Sequence, residues 1–270
     1  MKSLYAVIAA FSLLATSAHA DDAIRAANNA VTVSAGAHHV SHVEHSSDRE
    51  EPDPLDSEHG TDAALGLAYT RQGTLLGIDN VYTSASVILT GGNTTYTGSK
   101  LRTYEPVTCD VLNLETDVEL RLGKSIPFGS RSQFQVTPYV RYGYHAWLDY
   151  VCHNQALLYT HHEIGGGLLL QYAPTSRLVL SADANVSAVA GARIRNSVDT
   201  FRMKDRPILH VSLGVDYALN KRAHLTGMYR HTQYKQGASQ MRYIGNLEWM
   251  YEPDFEHRQD LFMVGVTWSF

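Results

Sequence analysis

Between Val111 and Lys124 the chain alternates in character at every residue. Leu112, Leu114, Thr116, Val118, Leu120 and Leu122 share one face, while Asn113, Glu115, Asp117, Glu119 and Arg121 share the other. A period of two over this length is that of an extended strand, because a helix brings residues three or four apart onto one face. The acidic side needs water or a polar interior. The apolar side needs oil, whether a protein core or a lipid.

The pattern recurs along the chain. Val31, Val33, Ala35 and Ala37 alternate within 30–40, and similar runs cover 63–70, 81–90, 134–145, 161–172, 209–217, 225–230 and 261–270. In Leu178–Ala192 eight apolar residues at every second position oppose Ser181, Asp183, Asn185 and Ser187. Together these runs make ten strands. Four connections are compact (72–80, 125–132, 173–177, 218–222) and five are longer (41–62, 91–110, 149–156, 193–207, 235–259). Ten antiparallel strands with both ends on one side need that arrangement, and spanning barrels have short turns on one side and long loops on the other. Tyr144, Trp147, Tyr150, Tyr217, Trp249, Tyr251, Trp268 and Phe270 gather near strand ends, where an interfacial aromatic girdle is expected. The expected fold is all-β, a transmembrane antiparallel up-and-down β-barrel of ten strands, with eight as the alternative if a weak run such as 63–70 is not a strand.

The N-terminus agrees. Met1-Lys2, the apolar stretch Leu4–Leu14 and Ala18-His19-Ala20 read as a secretory signal peptide over 1–20, leaving 21–270 as the barrel with five extracellular loops. No later run of apolar residues is long enough for a membrane helix. A chain that is 44% hydrophobic and 18% charged is not disordered, and a net charge of −5 without a large basic cluster sets nucleic acid aside.

The final run, Val264-Gly-Val-Thr-Trp-Ser-Phe270, resembles the terminal strand of bacterial outer-membrane β-barrel proteins. That resemblance implies the bacterial outer membrane, a setting of lipid and lipopolysaccharide, and recognition of Trp268 and Phe270 by the barrel-assembly machinery. In size and strand number the chain is similar to the omptin surface proteases and the opacity-type adhesins, with OmpX-like barrels as the eight-stranded counterpart. An omptin-like site would need paired acids and a His–Asp couple at the outer rim, but the 193–207 loop offers Asp199 and Asp205 without a histidine. A lipid A deacylase-like site would need His-x-Ser, which His231-Thr232-Gln233 does not supply. No catalytic residue and no cofactor is assigned, and an enzyme is the least supported expectation.

Inside a barrel, Glu115, Asp117, Glu119, Arg121, Arg141, Glu163, Asp183, Asp216 and Arg230 would form a polar lumen core; a narrow ion path is the alternative. His38 and His42 share an inward face of the first strand, and His145 and His161 lie on the fifth and sixth with Glu163 below. Imidazoles beside carboxylates are competent for zinc, copper or nickel, or for a charge switch near pH 6–7, while ordinary surface histidines are the plainer reading. An acidic stretch follows the first group: Asp48, Glu50, Glu51, Asp53, Asp56 and Glu58. Cys109 and Cys152 fall in neighbouring outer loops and are expected to pair in an oxidising compartment; two free thiols are the alternative. The expected role is surface interaction, adhesion or envelope support through the loops of a monomer, with a host or surface ligand as partner. A narrow porin-like channel is the alternative.

Overall fold

The computed structural model describes residues 20–46, 53–99, 105–129, 132–244 and 248–270. Residues 1–19 of the expected signal peptide, and Asp48, Glu50 and Glu51 of the acidic stretch, lie outside the described residues. A short helix, α1 (Ala20–Ala27), precedes ten long strands: β1 (Ala30–His45), β2 (Asp56–Leu75), β3 (Ile78–Ser99), β4 (Pro106–Lys124), β5 (Phe134–Val151), β6 (Gln155–Thr175), β7 (Leu178–Arg195), β8 (Ile208–Ala218), β9 (Ala223–Gln236) and β10 (Asp254–Ser269). Each pairs antiparallel with the next, and β10 returns to β1, with Val33 opposite Val266 on one side and Leu67 on the other. The wall is a closed up-and-down barrel. Closure leaves no strand edge unpaired, which is the condition for a sheet to stand in hydrocarbon.

The alternation read from sequence becomes a two-sided wall. Leu65 is 62% exposed while its neighbour Ala64 is 2% exposed, and Val33, Leu120, Val140, Ile164, Leu213 and Val264 likewise face outward. At the periplasmic end this apolar band finishes in aromatics: Tyr69 stacks on Phe270 at 5.8 Å, and Phe134 stacks on both Phe128 and Tyr172. The β2–β3 turn is tighter than the compact segment 72–80 suggested. Leu76 and Gly77, with φ of 50° and 79°, make a two-residue hairpin of the kind whose twist matches the flanking strands.

Three features depart from the sequence reading. Trp147 is not in an outer girdle; it points into the lumen and is fully buried. Ala192 is not on the lipid face. At Gly191 the backbone turns left-handed (φ +69°) beside a register shift in the β6–β7 pairing, so the alternation changes phase and Ala192 and Ile194 point inward. Helix α1 carries no strand pattern at all. It lies across the periplasmic mouth, burying Ala23 and Ile24 against Ala173 and Val179.

β2, β3 and β6 run to 20, 22 and 21 residues. A spanning strand needs about 9–11. The upper parts of these strands therefore stand clear of the bilayer as a walled extension at the end away from α1.

Candidate functional site

The lumen is built in layers from the periplasmic side upward. The lowest is a ring of amides. Asn28, just beyond α1, donates to Gln72 and Gln171 at 2.8 Å each, Gln171 donates back to Asn28 at 2.9 Å, and Gln135 joins Gln72 and Gln171 at 3.0–3.1 Å. Amides suit this place because each supplies both donor and acceptor, so a closed ring satisfies every partner without charge. Beside it Ser269 donates to the Ala26 carbonyl at 2.9 Å, fixing the end of α1 to β10.

Ser269 also lies 3.1 Å from His224 Nε2, and His224 Nδ1 lies 2.6 Å from Asp216. The row looks like a nucleophile, base and orienting acid, yet it is arranged as a latch. The serine proton is committed to Ala26, and the nearby N–H groups of Ser269 and Phe270 are taken by the Arg222 and Asn29 carbonyls, so neither is free to hold an oxyanion.

Above the ring is a chamber of about 260 Å³, lined largely by small side chains such as Ser34, Ser84, Ser181 and Ser212. Its roof is a lattice of charge. Arg121 donates to Glu119 at 2.6 Å and to Asp183 at 3.0 Å, and its guanidinium covers the Tyr139 ring at 4.6 Å. Arg141 donates to Glu119 at 2.6 Å, to Ser187 at 2.9 Å and to Glu163, whose other partner is His210 at 2.8 Å. Charges this deep persist only when paired and hydrogen-bonded, and here each carboxylate has a cation or imidazole beside it. A gap of about 10 Å³ at this level has room for one water-sized sphere. Asp117 and Arg230 line it.

The histidines form the next layer. His145 Nδ1 meets Asp117 at 2.7 Å, and its ring stacks on His161 at 4.9 Å; His161 lies 3.6 Å from Glu163. His38 sits 3.9 Å from both Asp62 and Glu115, and Gln259 donates to Glu115 at 2.6 Å. His42 meets His257 at 3.3 Å. The two groups expected on β1 and on β5–β6 lie in one continuous layer, because the lumen is narrow: Tyr234 touches the rings of His145, His161 and His257. Around His42 close Trp147 (4.9 Å), Phe255 (4.7 Å) and Tyr159 (5.8 Å), an aromatic lid. The described residues hold no group of three or more His, Cys, Asp or Glu side chains set to hold a metal ion. Sequence reasoning did not single out His257 or His210. His257 was hidden because the 235–259 connection looked like loop, whereas β10 begins at Asp254.

Above the lid, beyond the lipid-facing band, carboxyls collect. Glu44 and Asp56 are cross-strand partners, Tyr96 donates to Asp56 at 3.1 Å, Thr94 and Asn113 donate to Glu58, and Asn196 donates to Glu252 at 2.9 Å. Burial, then mutual repulsion, pushes these acids up: Glu44 to about 7, Asp56 to about 8, Asp149 to about 9 and Glu252 to about 8. At neutral pH the group holds protons that isolated carboxyls would have lost. On the outer flank of this extension Cys109 and Cys152 form a disulfide between β4 and the β5–β6 turn. At the opposite end of the barrel Phe270 and Trp268 are exposed on the lipid side.

No protein-family model and no curated protein matches the sequence. Among solved structures the chain is similar to the outer-membrane protease OmpT from Escherichia coli, at 11% identity over 90% of this chain and 97% of that one, with a TM-score of 0.58. It also matches the outer-membrane protein OprG from Pseudomonas aeruginosa (14% identity, 90% and 96% covered, TM-score 0.39) and the outer-membrane protein AlkL (13%, 90% and 90%, 0.40). At these identities the likeness is one of fold. With its closed wall, outward apolar band and periplasmic aromatic girdle, the chain is a ten-stranded β-barrel of the bacterial outer-membrane kind.

Proposed function

We propose that the protein acts at the cell surface through its extracellular extension, in adhesion, recognition or support of the envelope, and that its barrel is a closed scaffold. The observation that carries this reading is the layered lumen. The charged lattice and the histidine–aromatic lid fill the lumen above the chamber, and the gap beside Asp117 and Arg230 is only about 10 Å³. A sealed bore turns the outer walls and loops into the working part, and the disulfide and the long strands hold those walls in a fixed shape. The test compares cells producing the protein with cells producing a variant in which residues 237–253 are replaced by a Gly/Ser linker. Adherence to abiotic surfaces and epithelial layers falls in the variant, while the barrel still shows heat-modifiable migration. Equal adherence of both cell populations and of cells lacking the protein contradicts the reading.

A second reading, passage of small solutes, is favoured by the chamber of about 260 Å³ above the amide ring. It requires both the ring and the lattice to open. Swelling of proteoliposomes in a small sugar would favour it.

A further inference from the structure

Between the charged lattice and the amide ring the inward side chains become smaller and less buried on several strands at once. On β1 buried His38 gives way to half-buried Ser34 and Thr32, on β2 buried Asp62 and Ala64 to half-buried Gly66 and Ala68. On β8 buried His210 gives way to half-buried Ser212 and Gly214. These small residues open the chamber of about 260 Å³. A Cβ at Gly66 would come within 2.6 Å of the Ser34 hydroxyl, and one at Gly214 within 2.4 Å of the Ser181 hydroxyl. An alanine at either position would force the lining to shift.

Arg230 stands at the top of this space, half-buried, and lines both the chamber and the small gap above it. It is the cross-strand partner of Ser212. Among the described residues Arg230 makes no hydrogen bond and has no carboxylate within ion-pair distance. Asp117 and Glu119 act on it only at longer range, because Asp117 is bonded to His145, and Glu119 to Arg121 and Arg141. The other acids of the chamber are engaged too, Asp183 by Arg121 and Tyr139, and Asp216 by His224. The hydroxyls of Ser86, Ser181 and Ser212 also have no protein partner among the described residues. The chamber therefore holds satisfied acceptors and unsatisfied donors, which is the complement of an anionic head.

The rest of the ligand is set by the neighbouring wall. Ile88, Met228 and Met263 pack together and line the same space, and the methionines adapt to the shape of what they touch. An apolar cavity of about 150 Å³ admits benzene. The chamber is larger, with room for a ring or short chain together with its acid group.

We propose that the chamber is a binding site for a small amphipathic carboxylate, its head held by Arg230 and its apolar body lying against Ile88, Met228 and Met263. A guanidinium presents two parallel N–H groups that match the two oxygens of a carboxylate, and the serine hydroxyls supply further donors. One negative charge is what this space takes. A phosphate dianion would bring a second charge toward Glu119, Asp183 and Asp216, which line the same chamber. The lattice and the lid fill the lumen above, so the ligand arrives from the α1 end. Binding of this kind goes beyond the surface role, and it needs no opening of the lattice, which separates it from passage of solutes.

The experiment uses the refolded mature protein in neutral-headgroup micelles near neutral pH, with 3-phenylpropanoate as the probe. Its uncharged analogue 3-phenylpropanamide and inorganic phosphate are titrated in parallel. Binding is read from the carbon-13 methyl resonances of Met228 and Met263, so partition of the probe into the micelle does not count. Variants are Arg230→Gln, Ser212→Phe to fill the chamber and, as a control on the exposed β6–β7 turn, Arg177→Gln. Heat-modifiable migration selects folded material, either chamber variant suffices if the other does not fold, and the comparison of acid with amide needs no variant. The acid should bind the wild type about tenfold or more tighter than the amide, the worth of a charge-assisted hydrogen bond. Arg230→Gln should bring the acid down to the affinity of the amide, Ser212→Phe should remove both, and Arg177→Gln should bind as wild type. Equal binding of acid and amide, undiminished binding in Arg230→Gln, or unmoved methionine resonances overturns the proposal. Displacement of the acid by an equal concentration of phosphate does so too, since it would mark a simple anion site.

Discussion

Glu44 on β1 and Asp56 on β2 face each other across the first hairpin, two half-buried carboxyls set directly opposite one another rather than separated by a cation. His42 lies 3.6 Å from Glu44, inside the aromatic lid. This pairing makes the outer extension sensitive to pH. Carboxyls raised to about 7 and about 8 bind protons in the folded protein that the unfolded chain has lost above its ordinary value near 4. The folded state therefore gains stability as pH falls from about 9 toward 5, and loses it as the carboxyls ionise at higher pH.

The expected result is that hydrogen exchange at 44–46 and 53–58 is slower at pH 5.5 than at pH 9, after correction for the intrinsic exchange rate. The double variant Glu44→Gln/Asp56→Asn should flatten the difference. Protection that rises with pH would show that these acids are ionised and stabilised in the folded state.

Arg141 carries the centre of the lattice, binding Glu119, Glu163 and Ser187 at once. Arg141→Met leaves two buried carboxylates short of a cation. Removing one member of a buried ion pair costs about 3–5 kcal/mol, because the charge left behind has no solvent. Urea unfolding in micelles, followed by tryptophan emission, should show a loss of that order. A loss below about 1 kcal/mol would mean that water reaches the lattice freely.

The disulfide closes a segment with a sequence separation of 43. The chain-entropy relation gives about 4 kcal/mol for such a loop, an upper bound here because the barrel wall already holds β4 beside β5. Thiol labelling of the unreduced protein should be negligible. Cys109→Ser/Cys152→Ser should raise protease cleavage near 152–154 and leave the heat-modifiable shift of the barrel in place. Stoichiometric labelling of both cysteines before reduction would contradict the pairing.

Much of this architecture is legible in the sequence because lipid outside and polar groups inside impose opposite chemistry on adjacent residues. Leu112 to Leu122 and Glu115 to Arg121 could take only one pair of faces; the inward placement of His38 and His42 followed from Val31 and Val33 facing lipid, and that of His145 and His161 from the alternation within their own strands. Phase changes are not legible in this way. Nothing in the run to Ala192 announces that Gly191 adopts a positive φ, so the outward turn of Arg193 and its meeting with Arg202 were invisible. Trp147 misled because an aromatic suits both a lipid interface and a packed lid. Helix α1 was missed because its eight residues have no period-two signal, and the amide ring joins Asn28 to glutamines far apart in the chain.

The central claim is that the bore is closed, and single-channel recording tests it most directly. The refolded mature protein is inserted in planar bilayers beside variants lacking residues 21–28 and carrying Arg141→Ala/Arg121→Ala. The wild type should give no resolved conductance steps in 1 M KCl, removal of the helix alone should leave the lattice sealed, and only combined loss of helix and lattice should open steady steps. Stable, uniform openings from the wild-type protein would contradict the closed scaffold and move the function to the channel reading.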